Sequence, residues 1–342
     1  MTEIMESRKI SLDFLTVIAS FLVVLLHQAA QVGSSSDIYI YIYRIVAEAA
    51  VPLFVMKSGA LLLSRSRQME YSYIGSRVAK IALIIVFWGL FYNLLCNALT
   101  NGISASIIWK SLVAVVTADV TYNYQFWYLY MLLGLYAISP VIKRFTDNAS
   151  KKDFLYVIAL FSLVGFVIPF LCGTLSIDSQ SIWVVRWLSP FSAYLLLYYV
   201  LGTYLDRYPL NKRQHIGLFV LTILLGALTL FKCSGEISQE SIDVWLSYSS
   251  PFTLVYAVAL FSLICGKIDL RAEERISGLA KYGLGVYILH PAMIVAMRKL
   301  LGIDVTCFSP VISVPVLTCV VYIGCVFATW LIKKIPIIRR IV

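Results

Sequence analysis

The sequence predicts an all-α polytopic integral membrane bundle of about ten transmembrane helices, with the N- and C-termini in the cytoplasm. Three observations predict it. Of the 342 residues, 60% are hydrophobic and only 13% charged, and the mean hydropathy is +0.86. A water-soluble domain carries roughly 25% charged residues, so burying this much apolar surface requires lipid as part of the solvent. The apolar residues gather into separate runs of about 20, the length a helix needs to cross the hydrocarbon core. Finally, the Lys and Arg residues between the runs alternate strongly from one side to the other.

The first run, 10–32, is too long for a signal-peptide core and has no clear small-x-small cleavage pattern after it, so it reads as a retained first helix. The remaining runs fall at 41–63, 78–98, 124–142, 154–172, 186–205, 215–232, 249–266, 281–299 and 311–333. Continuous runs exclude a β-barrel, whose strands would alternate in segments of about ten residues. The stretch 102–118 is apolar but short and holds Lys110, which makes it a re-entrant or interfacial piece. Successive connections then place 21 of the 28 basic residues on one face and 6 on the other, with Lys57 left inside a helix. The basic-rich face is expected to be cytoplasmic. The same clustering argues that the net charge of +10 reflects membrane topology, with no nucleic-acid partner. Short connections leave a single transmembrane domain over 1–342. Cys265, Cys319 and Cys325 read as packing residues, whereas Cys96, Cys172, Cys233 and Cys307 map near outer helix ends, a placement that allows a Cys233–Cys307 disulfide. No spacing resembles a metal site.

Ionisable groups inside a membrane cost about 2.5–3.5 kcal/mol each and are functional candidates by default. In the first run Asp13, Thr16, Ser20 and His27 fall within one stripe at 100° per residue, with His27 roughly 16 Å above Thr16. Interhelical hydrogen bonds alone would suit Ser and Thr, but Asp and His within the stripe favour function. Lys57 lies a few residues inside the second run, where it either snorkels to the interface or serves as a fixed cation beside the first helix. Glu48 precedes it by nine residues, on the opposite side and nearer the outer face. His290 sits before Pro291, which frees a backbone carbonyl. The aromatic cluster from Tyr122 to Tyr130 is first of all an interfacial belt, and it would also suit stacking on sugar rings.

Four segments together resemble the acyltransferase 3 membrane proteins, which O-acylate cell-surface polysaccharides in bacteria. They are Leu12–Ala19 with Val23–His27, Val51–Gly59, Phe126–Gly134 running into Ser139 and Pro140, and Leu284–His290. Their order and spacing cover nearly the whole chain. The family signature on the first helix is an arginine or lysine, ten residues, then histidine. His27 matches it, but Thr16 stands at the cation position. Gln125 stands where relatives often carry histidine, and Lys57 where an apolar residue usually precedes Ser-Gly. The first and third departures compensate if Lys57, at a depth similar to Thr16, supplies the missing cation.

The resemblance implies transfer of an acyl group, acetyl first, from cytoplasmic acyl-CoA to a hydroxyl of a cell-surface saccharide or lipid-linked sugar, in the bacterial plasma membrane. Acetyl-CoA is then the donor substrate, and no bound cofactor is expected. His27 is the general base or an acyl carrier. Asp13, roughly 21 Å along the helix from His27, belongs to the donor end with Thr16, Lys57 and Ser58, the last in a close-packed Ser-Gly turn. Gln125, Trp127, Tyr130, Arg186, Glu48 and His290 are the acceptor candidates. The rival reading is a transporter or exporter of polysaccharide or a small solute on the same bundle. A third is a catalytically weakened partner subunit.

Overall fold

The computed structural model describes residues 2–32, 38–64, 70–102, 104–121, 123–178, 182, 193–235, 238–266, 273–336 and 338–342, and the elements formed there are helical. In chain order they are α1 Thr2–Ala30, α2 Ile38–Ala47, α3 Ala50–Leu62, α4 Tyr71–Asn101, α5 Ala105–Val116, α6 Trp127–Asn148, α7 Lys151–Ser162 and α8 Ile168–Thr174. There follow α9 Ala193–Arg207, α10 Lys212–Gly235, α11 Gln239–Trp245, α12 Pro251–Cys265, α13 Glu273–Ala280, α14 Gly283–Leu301 and α15 Pro310–Ile332. A π-helical turn, Leu163–Val167, joins α7 to α8 just before Pro169.

Eight helical stretches among the described residues are long and apolar enough to cross a membrane. The other two expected spans hold shorter described helices. α9 and α12 have 15 residues each, about 22 Å of helix, and 186–192 lie outside the described residues. α9 buries Leu197, Tyr198, Tyr199, Val200 and Thr203, so it is walled by protein instead of lipid. α10 shows the opposite pattern, exposing Ile216, Phe219, Leu224 and Phe231 as a lipid-facing surface must.

α1 is the hub of the bundle, packing against α2, α3, α12, α13, α14 and α15. α3 and α9 make the tightest crossing. A Cβ added to Gly59 would lie 1.9 Å from the Tyr199 carbonyl oxygen, and one added to Gly202 would lie 1.9 Å from that of Met56. The two backbones therefore touch through reciprocal glycines, the small-residue contact by which membrane helices gain close packing. The expected Ser-Gly turn at residues 58 and 59 is in fact helical, and the glycine serves this crossing. The Ser139 hydroxyl, 2.7 Å from the Tyr199 hydroxyl, fastens α6 to the same pair.

Several basic residues hold helix ends together. Arg207 joins the C-terminal ends of α3, α6 and α9, donating to the carbonyl oxygens of Thr146 and of Leu63, the latter at 3.0 Å, and lying 3.6 Å from Asp147. Lys143 also pairs with Asp147. Lys333 donates to the Lys281 carbonyl oxygen, and burial, then Lys80 and Lys281, hold its ammonium below the ordinary lysine value. At the opposite end Arg44 pairs with Asp243 at 3.2 Å, tying α2 to α11.

Two expected segments gain detail, and one expectation, the disulfide, is corrected. The run 41–63 is interrupted at Glu48 and Ala49, where α2 gives way to α3. The stretch 102–118 forms α5, capped by Ser104 and packed along α4. No disulfide links Cys233 and Cys307: Cys233 is buried with Tyr41, Ile242 and Leu246, while Cys307 closes its own turn, its Sγ accepting from the Asp304 N–H at 3.4 Å.

Candidate active site

His27 lies in the last turn of α1, where the helix meets α14 and the short 3-10 turn Tyr124–Phe126. Its ring stacks on that of His290, centroids 4.9 Å apart and planes inclined by 22°. Tyr124 covers it edge-on at 5.0 Å. The local sequence explains how His290 is oriented. Pro291 has no N–H, and its ring disturbs the helix one turn back, so the Tyr287 carbonyl lacks its helical donor. His290 Nδ1 takes that place, 2.8 Å from the Tyr287 oxygen and 3.2 Å from that of Val286. A carbonyl oxygen only accepts, so Nδ1 carries the proton and Nε2 of the neutral ring carries the lone pair. His290 is fully buried, yet Nε2 has no hydrogen-bond partner among the described residues.

The turn beside it is equally unsatisfied. The Tyr287 hydroxyl donates to the Gln125 backbone carbonyl and so pins the turn to α14. Both side-chain amide atoms of Gln125, and Oδ1 of Asn123, are buried without partners among the described residues. Each such orphan costs about 1–3 kcal/mol unless something completes it. A packing role would be served better by apolar side chains of the same shape.

Roughly 16 Å lower on α1 is a second polar cluster. The Lys57 ammonium, carried by α3, donates to the Thr16 hydroxyl, which itself donates to the Leu12 carbonyl oxygen at 3.0 Å. Ser277 of α13 donates to the Asp13 carboxylate at 2.7 Å. Gly283, at the start of α14, lies against Thr16: an added Cβ would come within 2.6 Å of its methyl group. Lys57 therefore does not snorkel away from α1. The two clusters occupy one stripe of one continuous helix at two depths.

The other candidates separate. Ser58 lies against the hydroxyls of Tyr128 and Tyr136, which accords with packing of α3 against α6. The Tyr130 hydroxyl donates to the Val115 carbonyl oxygen at 2.7 Å and fastens α6 to α5, so it is spent on structure. Trp127 stacks on Tyr248, 5.6 Å away and inclined by 27°. Glu48, 4% exposed, faces Arg44 and Asp243 and joins neither cluster. Arg186 lies outside the described residues. Tyr124, Asn123 and Ser277 escaped the sequence reading; Tyr124 and Asn123 merged into the aromatic belt, and α13 is a short polar helix outside every apolar run.

A family model described as an acyltransferase domain matches residues 9–332, which takes in both clusters and all eight long spans. The chain belongs to the acyltransferase 3 family. It is thus a multi-pass membrane protein of an acyltransferase family. Among curated relatives it is similar to proteins of Staphylococcus aureus strains MSSA476, MW2 and N315, each described as a probable poly-beta-1,6-N-acetyl-D-glucosamine export protein. Each is 22% identical over 315 residues, covering 85% of this chain and 83% of the relative. No solved structure matches it. Within the family pattern, the first-helix cation is absent at Thr16, and the Lys57 ammonium reaches that same hydroxyl from the neighbouring helix.

Proposed function

We propose that this acyltransferase 3 protein is a bacterial plasma-membrane O-acyltransferase, moving an acetyl or similar acyl group from cytoplasmic acyl-CoA to a hydroxyl of a cell-surface saccharide or its lipid-linked precursor. The observation that carries the reading is the stacked His27–His290 pair on the same helical stripe as the Lys57–Thr16 contact. With the basic end of the bundle in the cytoplasm, Lys57 meets the donor from below and His27 meets the acceptor near the outer face. An acceptor hydroxyl gives its proton to His27 as its oxygen bonds to the acyl carbon. The carbon–sulfur bond then breaks, and the departing CoA thiolate takes the proton from the imidazolium. The relatives' name supplies the first acceptor to try, a β-1,6-linked N-acetylglucosamine oligosaccharide, whose 3- and 4-hydroxyls are free.

The direct test is transfer of radiolabelled acetyl from acetyl-CoA to that oligosaccharide by the purified chain in vesicles. Label on the sugar supports the enzyme. The export description of the relatives favours the second reading, a saccharide exporter, which would move the oligosaccharide across the vesicle with no requirement for a thioester.

Lys57→Met is expected to lower kcat/KM for acetyl-CoA by roughly 10- to 100-fold, the worth of one hydrogen bond to a charged group. KM for the saccharide should not change, and Lys57→Arg should keep part of the activity. Full activity in the methionine variant would remove Lys57 from the donor site.

A further inference from the structure

Two imidazoles meet at the outer end of α1, and the transfer chemistry uses one. We infer that the pair reads a vicinal diol: one hydroxyl of the acceptor is acylated at His27 while the adjacent hydroxyl donates its hydrogen bond to His290 Nε2. This deepens the acyltransferase reading and rests on it.

The argument begins with the tautomer. His290 Nδ1 faces two carbonyl oxygens, so the ring can offer only a lone pair at Nε2, and that atom is buried with no donor among the described residues. A ligand that completes it must bring a donor. His27 also makes no hydrogen bond with its ring nitrogens among the described residues. The ring centroids lie 4.9 Å apart and the planes only 22° from parallel, so one small ligand can span both rings. Neighbouring hydroxyl oxygens on a pyranose ring are somewhat closer together than that, and each can approach one ring. Gln125, whose backbone carbonyl accepts from Tyr287 one turn before His290, adds a buried acceptor, Oε1, and a buried donor, Nε2, both without partners among the described residues. A polyhydroxyl compound, rich in donors, matches this inventory; a hydrocarbon alcohol or a single-hydroxyl lipid does not. A site built around a hydroxyl discriminates strongly against the analogue lacking it, because the buried partner is then left unpaired.

The experiment compares the parent β-1,6-linked N-acetylglucosamine oligosaccharide with its 3-deoxy and 4-deoxy analogues, each still holding one free ring hydroxyl. The wild type is expected to acetylate the deoxy analogues at least 100-fold less efficiently in kcat/KM. His290→Phe keeps an aromatic, slightly larger ring but has no lone pair; it should be slow on the parent and should use parent and deoxy acceptors equally. His290→Asn, which keeps a polar group near the Nδ1 position, covers the case in which the phenylalanine variant does not fold, and should lose the discrimination in the same way. Equal use of parent and deoxy acceptors by the wild type overturns the proposal, as does discrimination that survives in a folded His290 variant. Absence of any transfer to the parent by the wild type would instead count against the acyltransferase reading, and the diol proposal would fall with it.

Discussion

Gly202→Leu is expected to prevent assembly of the bundle, and Gly202→Ala to destabilise it measurably. The Met56 carbonyl oxygen occupies the space where the first added carbon would go, 1.9 Å away, and the neighbour is backbone, which cannot swing aside. α3 and α9 would have to separate, and with them the reciprocal contact of Gly59 on Tyr199. Overpacking of this kind typically costs about 1–3 kcal/mol, occasionally more. Helix propensity argues in the opposite direction, since Ala is favoured over Gly in a helix interior by about 0.8–1 kcal/mol. The sign of the alanine effect therefore decides which term wins. Thermal unfolding in detergent, followed by size-exclusion chromatography, measures it. Gly134→Ala and Gly217→Ala serve as controls: neither has an atom within 4 Å of the added carbon, and both should be neutral or slightly stabilising. A stabilised Gly202→Ala protein would mean that the crossing is looser than described.

His27→Asn is expected to lower acetyl transfer by about 100- to 10,000-fold, the contribution of a positioned general base. Asparagine keeps a polar group in the stack beside His290 but cannot accept and return a proton. The lost ring contact costs roughly 0.5–1.5 kcal/mol, too little to unfold the bundle. Acetyl-CoA binding should survive, because the Lys57–Thr16 contact lies roughly 16 Å along α1. Single-turnover transfer and acetyl-CoA binding by the same purified variant separate the two effects. Equal transfer by wild type and variant would leave an enzyme whose base is elsewhere. Loss of binding together with transfer would show that the two clusters are not independent.

The residues of the site were legible in the sequence to different degrees. Asp13, Thr16 and His27 could be placed on one stripe because a helix fixes angular position from spacing alone. Pro291 signalled a freed carbonyl, which is where His290 Nδ1 is found. Glu48 and Tyr130 were grouped with the acceptor residues on depth and residue type, and packing directs both elsewhere, Tyr130 to the end of α5 and Glu48 towards Arg44 and Asp243. About ten spans were expected and eight long apolar helices are described, with 186–192 of a ninth expected span outside the described residues; apolar composition is shared by lipid-facing helices such as α10 and by a protein-walled helix such as α9. Hydropathy alone does not distinguish the two.

By itself, then, the sequence determined the solvent and the local geometry. It specified an all-helical membrane chain, the clustering of its basic residues between apolar runs, and a polar stripe on the first helix, since each follows from composition and from contacts within a few residues. Only the tertiary structure decided the meetings between distant segments: His27 with His290, Lys57 with Thr16, Gly59 and Gly202 with the backbone of the opposite helix. Those depend on how helices rotate and cross. In lipid that choice is made by close packing and interhelical hydrogen bonds, summed over many small contacts that no local run of residues encodes.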